Sequence, residues 1–201
     1  FHCGDIMYDN SLHYASLASK ESNILDENDL SSNDYVLATI HRDHNTDIPE
    51  NFKSIFEALI TISNQLKVVL PIHPRTNKKL HAIEHEKLLI KINESKNLFL
   101  IPPVSFIDMI QLEKNSCLII TDSGGVQKES YFFNKPCIVL RPETEWVEIL
   151  STGKAKLVSS DYNKILSAFD VFINLDELEF PKIFGDGRAA EFICETLIGN
   201  S

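Results

Sequence analysis

The chain has 201 residues, 43% of them hydrophobic and 24% charged, with a net charge of −10 at neutral pH. That length and balance fit one well-buried α/β domain with residues to spare for a terminal extension, and the acidic surplus, unopposed by any basic stripe, argues against a nucleic-acid partner. No apolar run approaches the roughly 18 residues of a membrane span, and nothing near the start reads as a secretory signal.

In chain order, residues 6–18 have helical spacing (Ile6, Met7, Leu12, Tyr14, Leu17) and are expected to pack on the outside of the domain. Residues 21–33 are rich in Asp, Asn and Ser and read as a connecting loop. The first core strand is 34–40, ending in the polar turn His41-Arg42-Asp43-His44-Asn45; a helix follows over 49–65 with Pro49 in its first turn and Phe52, Ile55, Phe56, Leu59 and Ile62 on one face. The second strand, 67–72, ends in His73-Pro74-Arg75, and a charged amphipathic helix is expected over 77–90. The third strand is 97–101, after which Ser105 caps a helix over 106–113. The fourth strand is 117–121 and the fifth 137–140, with a helix over 126–133 between them that Asn134-Lys135-Pro136 ends. A short strand at 156–158 and closing helices at 161–172 and 187–197 complete the pattern.

Strand and helix alternating in this way make a right-handed βαβ series: a Rossmann-like parallel sheet with helices on both faces. The polar clusters then converge. His41/Arg42, His73/Arg75, Ser105, Ser123/Gly124/Gly125 and Arg141/Glu145 all follow strands, so all lie at one carboxyl edge, where open α/β sheets bind ligands. The most informative stretch is 117–129, CLIITDSGGVQKE. A strand, a Ser-Gly-Gly turn and a helix start offer free N–H groups and the positive end of a helix dipole, which suits a nucleotide diphosphate. Glu129 lies about one and a half helical turns on, in reach of a ribose hydroxyl. His41 can donate to a phosphate or act as an acid or base, whereas His44 sits further out in the loop. Glu143, Glu145 and Glu148 surround Trp146; Arg141 can answer pyrophosphate charge, and Glu145 can hold a sugar hydroxyl. His81 and His85 have metal-ligand spacing on the expected helix, but the charges beside them mark a solvated face, so no metal is expected. Cys3, Cys117, Cys137 and Cys194 form no CxxC pair and read as reduced thiols of a cytoplasmic protein. The chain opens at Phe1 without Met, in a turn running straight into a helix, and is expected to be a fragment with a domain missing upstream.

Taken together, Ala38-Thr39-Ile40-His41-Arg42, Pro71-Ile72-His73-Pro74, the run Thr121 to Glu129 and Leu140-Arg141-Pro142-Glu143-Thr144-Glu145 resemble the non-hydrolysing UDP-N-acetylglucosamine 2-epimerases. The opening Cys3-Gly4-Asp5 and the closing Phe184-Gly185-Asp186-Gly187-Arg188-Ala189-Ala190 are similar to that family as well, and the likeness covers its C-terminal half only. The resemblance implies the C-terminal domain of a glycosyltransferase-B type fold. Residues 1–20 would be the interdomain crossing helix and 34–201 the UDP-binding domain. It implies that Ser123, Gly124, Gly125 and Arg141 hold the phosphates and Glu129 the ribose, with Phe106 beside the uracil. His41 would be catalytic at the diphosphate, and Glu145, Arg42 and His73 would border the sugar; in some bacterial members residues like Arg42 and His73 bind a second, activating UDP-sugar.

The implied reaction inverts C2 of a UDP-2-acetamido sugar, UDP-GlcNAc to UDP-ManNAc, by eliminating and re-adding UDP. It needs no cofactor, and its acidic residues lie in the N-terminal domain, so this half alone is expected to be inactive. The full-length protein is expected to be a cytoplasmic homodimer. Lys128 stands where many members have Glu, and Thr144-Glu145-Trp146-Val147 replaces a Thr-Glu-Arg-Pro run, as in relatives acting on UDP-2,3-diacetamido-glucuronate. Other readings are an epimerase of such a sugar, a UDP-sugar glycosyltransferase donor domain, and a non-catalytic nucleotide-binding module.

Overall fold

The computed structural model describes residues 1–175 and 179–199; positions 176–178 and the last two of the expected domain, 200 and 201, lie outside them. Six parallel strands make one sheet: β1 (Tyr35–Thr39), β2 (Lys67–Pro71), β3 (Leu98–Ile101), β4 (Leu118–Thr121), β5 (Cys137–Val139) and β6 (Ala155–Leu157). Every strand read from the sequence is present, with ends within one residue of those expected. Every residue of β1, β4 and β5 is buried. Strands covered on both faces need apolar residues at both parities, which is why these read as continuous apolar runs without alternation.

The helices are α1 (Ile6–Glu21), α2 (Ile24–Glu27), α3 (Asp43–Thr46), α4 (Pro49–Ser63), α5 (Pro74–Leu80), α6 (Glu86–Glu94), α7 (Phe106–Asn115), α8 (Gly124–Phe132), α9 (Val147–Ser151), α10 (Tyr162–Ile173) and α11 (Ala189–Gly199). On one face Phe52, Ile55, Phe56 and Leu59 of α4 and Phe169 of α10 pack on Val36, Ala38, Val68, Leu70 and Ile138. Each of these aromatic side chains is essentially fully buried, contributing about 2–3 kcal/mol apiece. On the other face Leu112 of α7 and Val126 of α8 cover Leu37, Val69 and Ile119. Outside that layer α1 packs on α7 through Ala15, Ala18 and Ile110, the two alanines letting the helices approach. Ser105, Ser123 and Asp161 cap their helices by accepting the N–H of Asp108, Val126 and Lys164.

Several local expectations need correction. The expected loop at 21–33 contains α2, because Ile24 and Leu30 are buried against the second face and pull the polar stretch into a turn of helix. The expected helix at 77–90 is broken: α5 begins earlier, with Pro74 at its first position and His73 as its cap, and a 3₁₀ turn (Ile83–His85) separates it from α6. His81 and His85 therefore share no helix face, and His85 is buried with its ring 4.6 Å from that of Phe52. The His41–Asn45 turn closes into α3, and α9 follows the charged loop after β5. Beside α1, Gly4 (φ 83°) lies against Gly185 (φ 90°), with the Asp5 N–H donating to the Phe184 carbonyl at 3.0 Å.

Candidate functional site

The strand order β3-β2-β1-β4-β5-β6 reverses direction between β1 and β4. At such a switch point the connections leave to opposite faces and open a crevice beyond the carboxyl ends. Thr39 pairs with Thr121 as the last rung of the ladder, their hydroxyls hydrogen-bonded to each other. Past that rung β1 turns into His41-Arg42 and α3, and β4 turns into Asp122-Ser123 and α8.

Asp122 stitches these two exits together. Its carboxylate is fully buried and accepts from the His41 N–H (3.1 Å to each oxygen), the Arg42 N–H (3.0 Å) and the Asn45 side-chain amide (3.1 Å). Several charge-assisted bonds make a buried carboxylate tolerable where an unpaired one is not. The His41 Nδ1 lies 3.2 Å from the same carboxylate. A carboxylate at Nδ1 fixes the ring and leaves Nε2 for a ligand. The His41 side chain is 39% exposed, and its ring centroid is 5.6 Å from that of His73 at the neighbouring strand end.

Across the crevice, Ser123 opens α8. Its N–H is bound by the Thr121 hydroxyl at 2.9 Å, and its own hydroxyl accepts from the Val126 N–H. The N–H groups of Gly124 and Gly125 come first in the helix, have no intrahelical acceptor, and are free among the described residues. Neither glycine has positive φ, so their absent side chains matter as space. A Cβ on Gly124 would stand 2.8 Å from Glu145 Oε1 and 3.6 Å from Arg141 Nη1; one on Gly125 would meet nothing nearer than 3.8 Å.

Charge completes the site. The nearly buried Arg141 guanidinium lies 2.7 Å from Glu145 Oε2, in an ion pair not aligned as a hydrogen bond. The Glu145 carboxyl is held below its ordinary range, first by its own backbone N–H and then by Arg141 and Arg42. Glu129 is half-buried, with its carboxylate toward Gly125, and burial pushes its pKa up. Behind it Glu113 of α7 is fully buried with both oxygens unpartnered; burial, then the charge of Glu129, raises its pKa well above the usual value.

The structure thus brings His41, Ser123, Gly124, Gly125, Glu129, Arg141 and Glu145 to one crevice, with Arg42 near Glu145 and His73 near His41. Arg75, grouped with His73 in the sequence, turns away to bind Asp47 and the Thr46 hydroxyl. Phe106 starts α7 at the same edge, is 55% exposed, and lies edge-on to Tyr14 at 5.1 Å. Beside it a cavity of about 360 Å³ is lined by Ile101, Pro103, Ser105 and Asp108, with Ile24 and Asn28 of α2 and its cap. Sequence reasoning missed Asp122 as the organiser, although it lies within the stretch 117–129. It also missed Asn45, and the buried Lys128, which pairs with Asp5 and lies 4.4 Å from the Trp146 ring.

Residues 1–198 match the family model described as UDP-N-acetylglucosamine 2-epimerase. The chain belongs to this family. It is 46% identical over 98% of its length to a UDP-N-acetylglucosamine 2-epimerase homolog of Methanococcus maripaludis, covering 54% of that protein. It is 37% identical over 96% of its length to the UDP-2,3-diacetamido-2,3-dideoxy-D-glucuronate 2-epimerase of Pseudomonas aeruginosa, covering 51% of it. The solved UDP-GlcNAc 2-epimerase of Methanocaldococcus jannaschii superposes with a TM-score of 0.89 at 33% identity, over 99% of this chain and 55% of that one. That protein has also been solved in complex with UDP-GlcNAc and UDP. The chain therefore spans about half the length of the curated relatives it matches. Its parallel six-stranded sheet with helices on both faces is the fold these epimerases share.

Proposed function

We propose that this chain is the UDP-holding half of a UDP-N-acetylglucosamine 2-epimerase, which inverts C2 of UDP-GlcNAc to give UDP-ManNAc. The observation that carries the proposal is the pair of free N–H groups at Gly124 and Gly125, beside Arg141, with the Asp122-paired His41 on the neighbouring strand exit of the switch point. A diphosphate in the turn would take the Gly124 and Gly125 N–H groups and the helix dipole, with Arg141 exchanging Glu145 for phosphate. Glu129 would accept from the ribose. The cavity beside Pro103 and Phe106 would take the uracil. In the reaction the C1–O bond to UDP breaks as the C2 proton leaves, giving a 2-acetamidoglycal; UDP then returns to C1 and a proton to the opposite face of C2. The chain's part is to hold the departing UDP, spreading its charge over fixed donors. In its imidazolium form, in which both ring nitrogens are donors, His41 would donate from Nε2 to the diphosphate as charge develops there. The groups that move the C2 proton would lie in the half this chain does not cover, with residues 1–20 as the crossing and 34–201 as the UDP domain.

The likeness to the diacetamido-glucuronate epimerase supports a second reading, in which the sugar carries a second acetamido group and a carboxylate. The four free cysteines support a reducing, cytoplasmic setting. The complete protein is read as a homodimer, which sedimentation tests directly. Calorimetric titration with UDP, beside a Ser123→Ala/Glu129→Ala variant, tests the central reading. Saturable binding lost in the variant supports it; equal binding by both proteins refutes it.

A further inference from the structure

The Gly124 carbonyl and the Gly125 N–H are the two ends of one planar peptide unit, so the direction of one sets the direction of the other. That unit lies between two glycines, whose φ and ψ are the least restricted of any residue. It also sits in the first helical turn, where the ladder frays. Left to itself it is the peptide in α8 most able to rotate, and it carries one of the donors the phosphate turn depends on.

Within α8 the Gly124 carbonyl accepts the Lys128 N–H, and one side chain adds a second hold. The Trp146 indole Nε1–H donates to the Gly124 carbonyl at 2.8 Å. The loop bearing Trp146 is fastened to the same turn of helix: the Trp146 N–H donates to the Thr144 hydroxyl at 3.2 Å, that hydroxyl donates to Gln127 Oε1 at 2.6 Å, and Gln127 Nε2 donates to the Ser123 carbonyl at 3.1 Å. Beneath the indole lies Lys128, only 6% exposed, its ammonium 4.4 Å from the ring. The same ammonium is 5.4 Å from the Phe184 ring and 5.8 Å from that of Phe132, and it pairs with the Asp5 carboxylate. A buried ammonium among aromatic faces and one carboxylate is a fixed base for the indole. Trp146 brings no charge of its own to the turn, so its effect there is one of direction.

We infer that Trp146 is a positioning residue for phosphate recognition: by holding the Gly124 carbonyl it aims the Gly125 N–H at the bound diphosphate, with Lys128 and Asp5 as the support beneath it. The inference rests on the UDP reading above and adds a residue that touches no ligand.

The test separates the two. Trp146→Phe keeps a ring over Lys128 and removes only the donor; Lys128→Met removes the support and keeps the donor. UDP and uridine are titrated into the wild-type protein and both variants, with thermal unfolding of each. An aimed N–H on a charged phosphate oxygen is worth about tenfold in affinity. Trp146→Phe should weaken UDP by about that factor and leave uridine and the melting temperature nearly unchanged. Lys128→Met should weaken UDP by a smaller factor with the same selectivity. Unchanged UDP affinity in Trp146→Phe, or equal losses for UDP and uridine in the two variants, would overturn the inference while the UDP reading stands. A wild-type protein that binds no UDP overturns both.

Discussion

Asp122→Asn is the sharpest perturbation of this site. The fully buried carboxylate accepts hydrogen bonds from two backbone N–H groups and the Asn45 amide, and the His41 ring lies 3.2 Å from it. An asparagine is the same size but has one acceptor and one donor end. Oδ2 accepts from Arg42, Asn45 and His41, and Oδ1 from His41 alone, so the amide oxygen should take the Oδ2 place. The new NH₂ then points at His41. One charge-assisted bond becomes a donor–donor contact, and the remaining ones weaken to neutral strength. At about 1–2 kcal/mol for the lost bond and a few tenths for each weakened one, the variant should lose about 2–3 kcal/mol. That is a large share of the roughly 5–15 kcal/mol expected for a domain. Urea unfolding should show an earlier midpoint with an unchanged slope, and UDP affinity should fall further than in His41→Ala, because both exits of the switch point loosen together. A stability loss under about 0.5 kcal/mol with normal UDP binding would refute the view that Asp122 organises the crevice.

Two other outcomes follow from the same geometry. Glu113 and Glu129 both titrate above their ordinary values, chiefly because they are buried; above the ordinary Glu pKa the unfolded chain then holds fewer protons than the native one, so this contribution is full below that pKa and is lost as pH rises from there through the native values. Glu113→Gln should flatten that decline and raise the melting temperature at pH about 8; a wild-type profile without the decline would contradict the assignment. Gly125→Ala places its Cβ no closer than 3.8 Å to any neighbour and puts a better helix former in α8, so stability should stay level or rise by about 0.5 kcal/mol. UDP binding should nonetheless fall at least tenfold, because the methyl group stands where the diphosphate approaches. Retained binding would place the ligand elsewhere.

The sheet was legible because its central strands are short apolar runs followed by polar punctuation, as the full burial of β1, β4 and β5 requires. The convergence of the candidate residues was legible for the same reason: strand ends share an edge whatever the helices do. What failed to show was whatever depended on contacts between distant segments. Ile24 and Leu30 look stranded in a polar loop until the second face is there to receive them. His81 and His85 look like a pair until Pro74 starts the helix early and Phe52 takes the second ring. Asp122 could be seen only once β1 and β4 were known to be neighbours, since its partners lie some 80 positions away in the chain. Glu113 gave no signal at all: a glutamate in an amphipathic helix near a lysine reads as solvated.

The indole that holds the Gly124 carbonyl is the chain's single tryptophan. Its emission therefore comes from one place, between a buried ammonium and the turn proposed to receive phosphate. The protein carries its own optical reporter there, with no label to attach and no background from other indoles. A change in intensity or wavelength on adding ligand reads movement at that turn, and the same signal during unfolding reports when the turn comes apart.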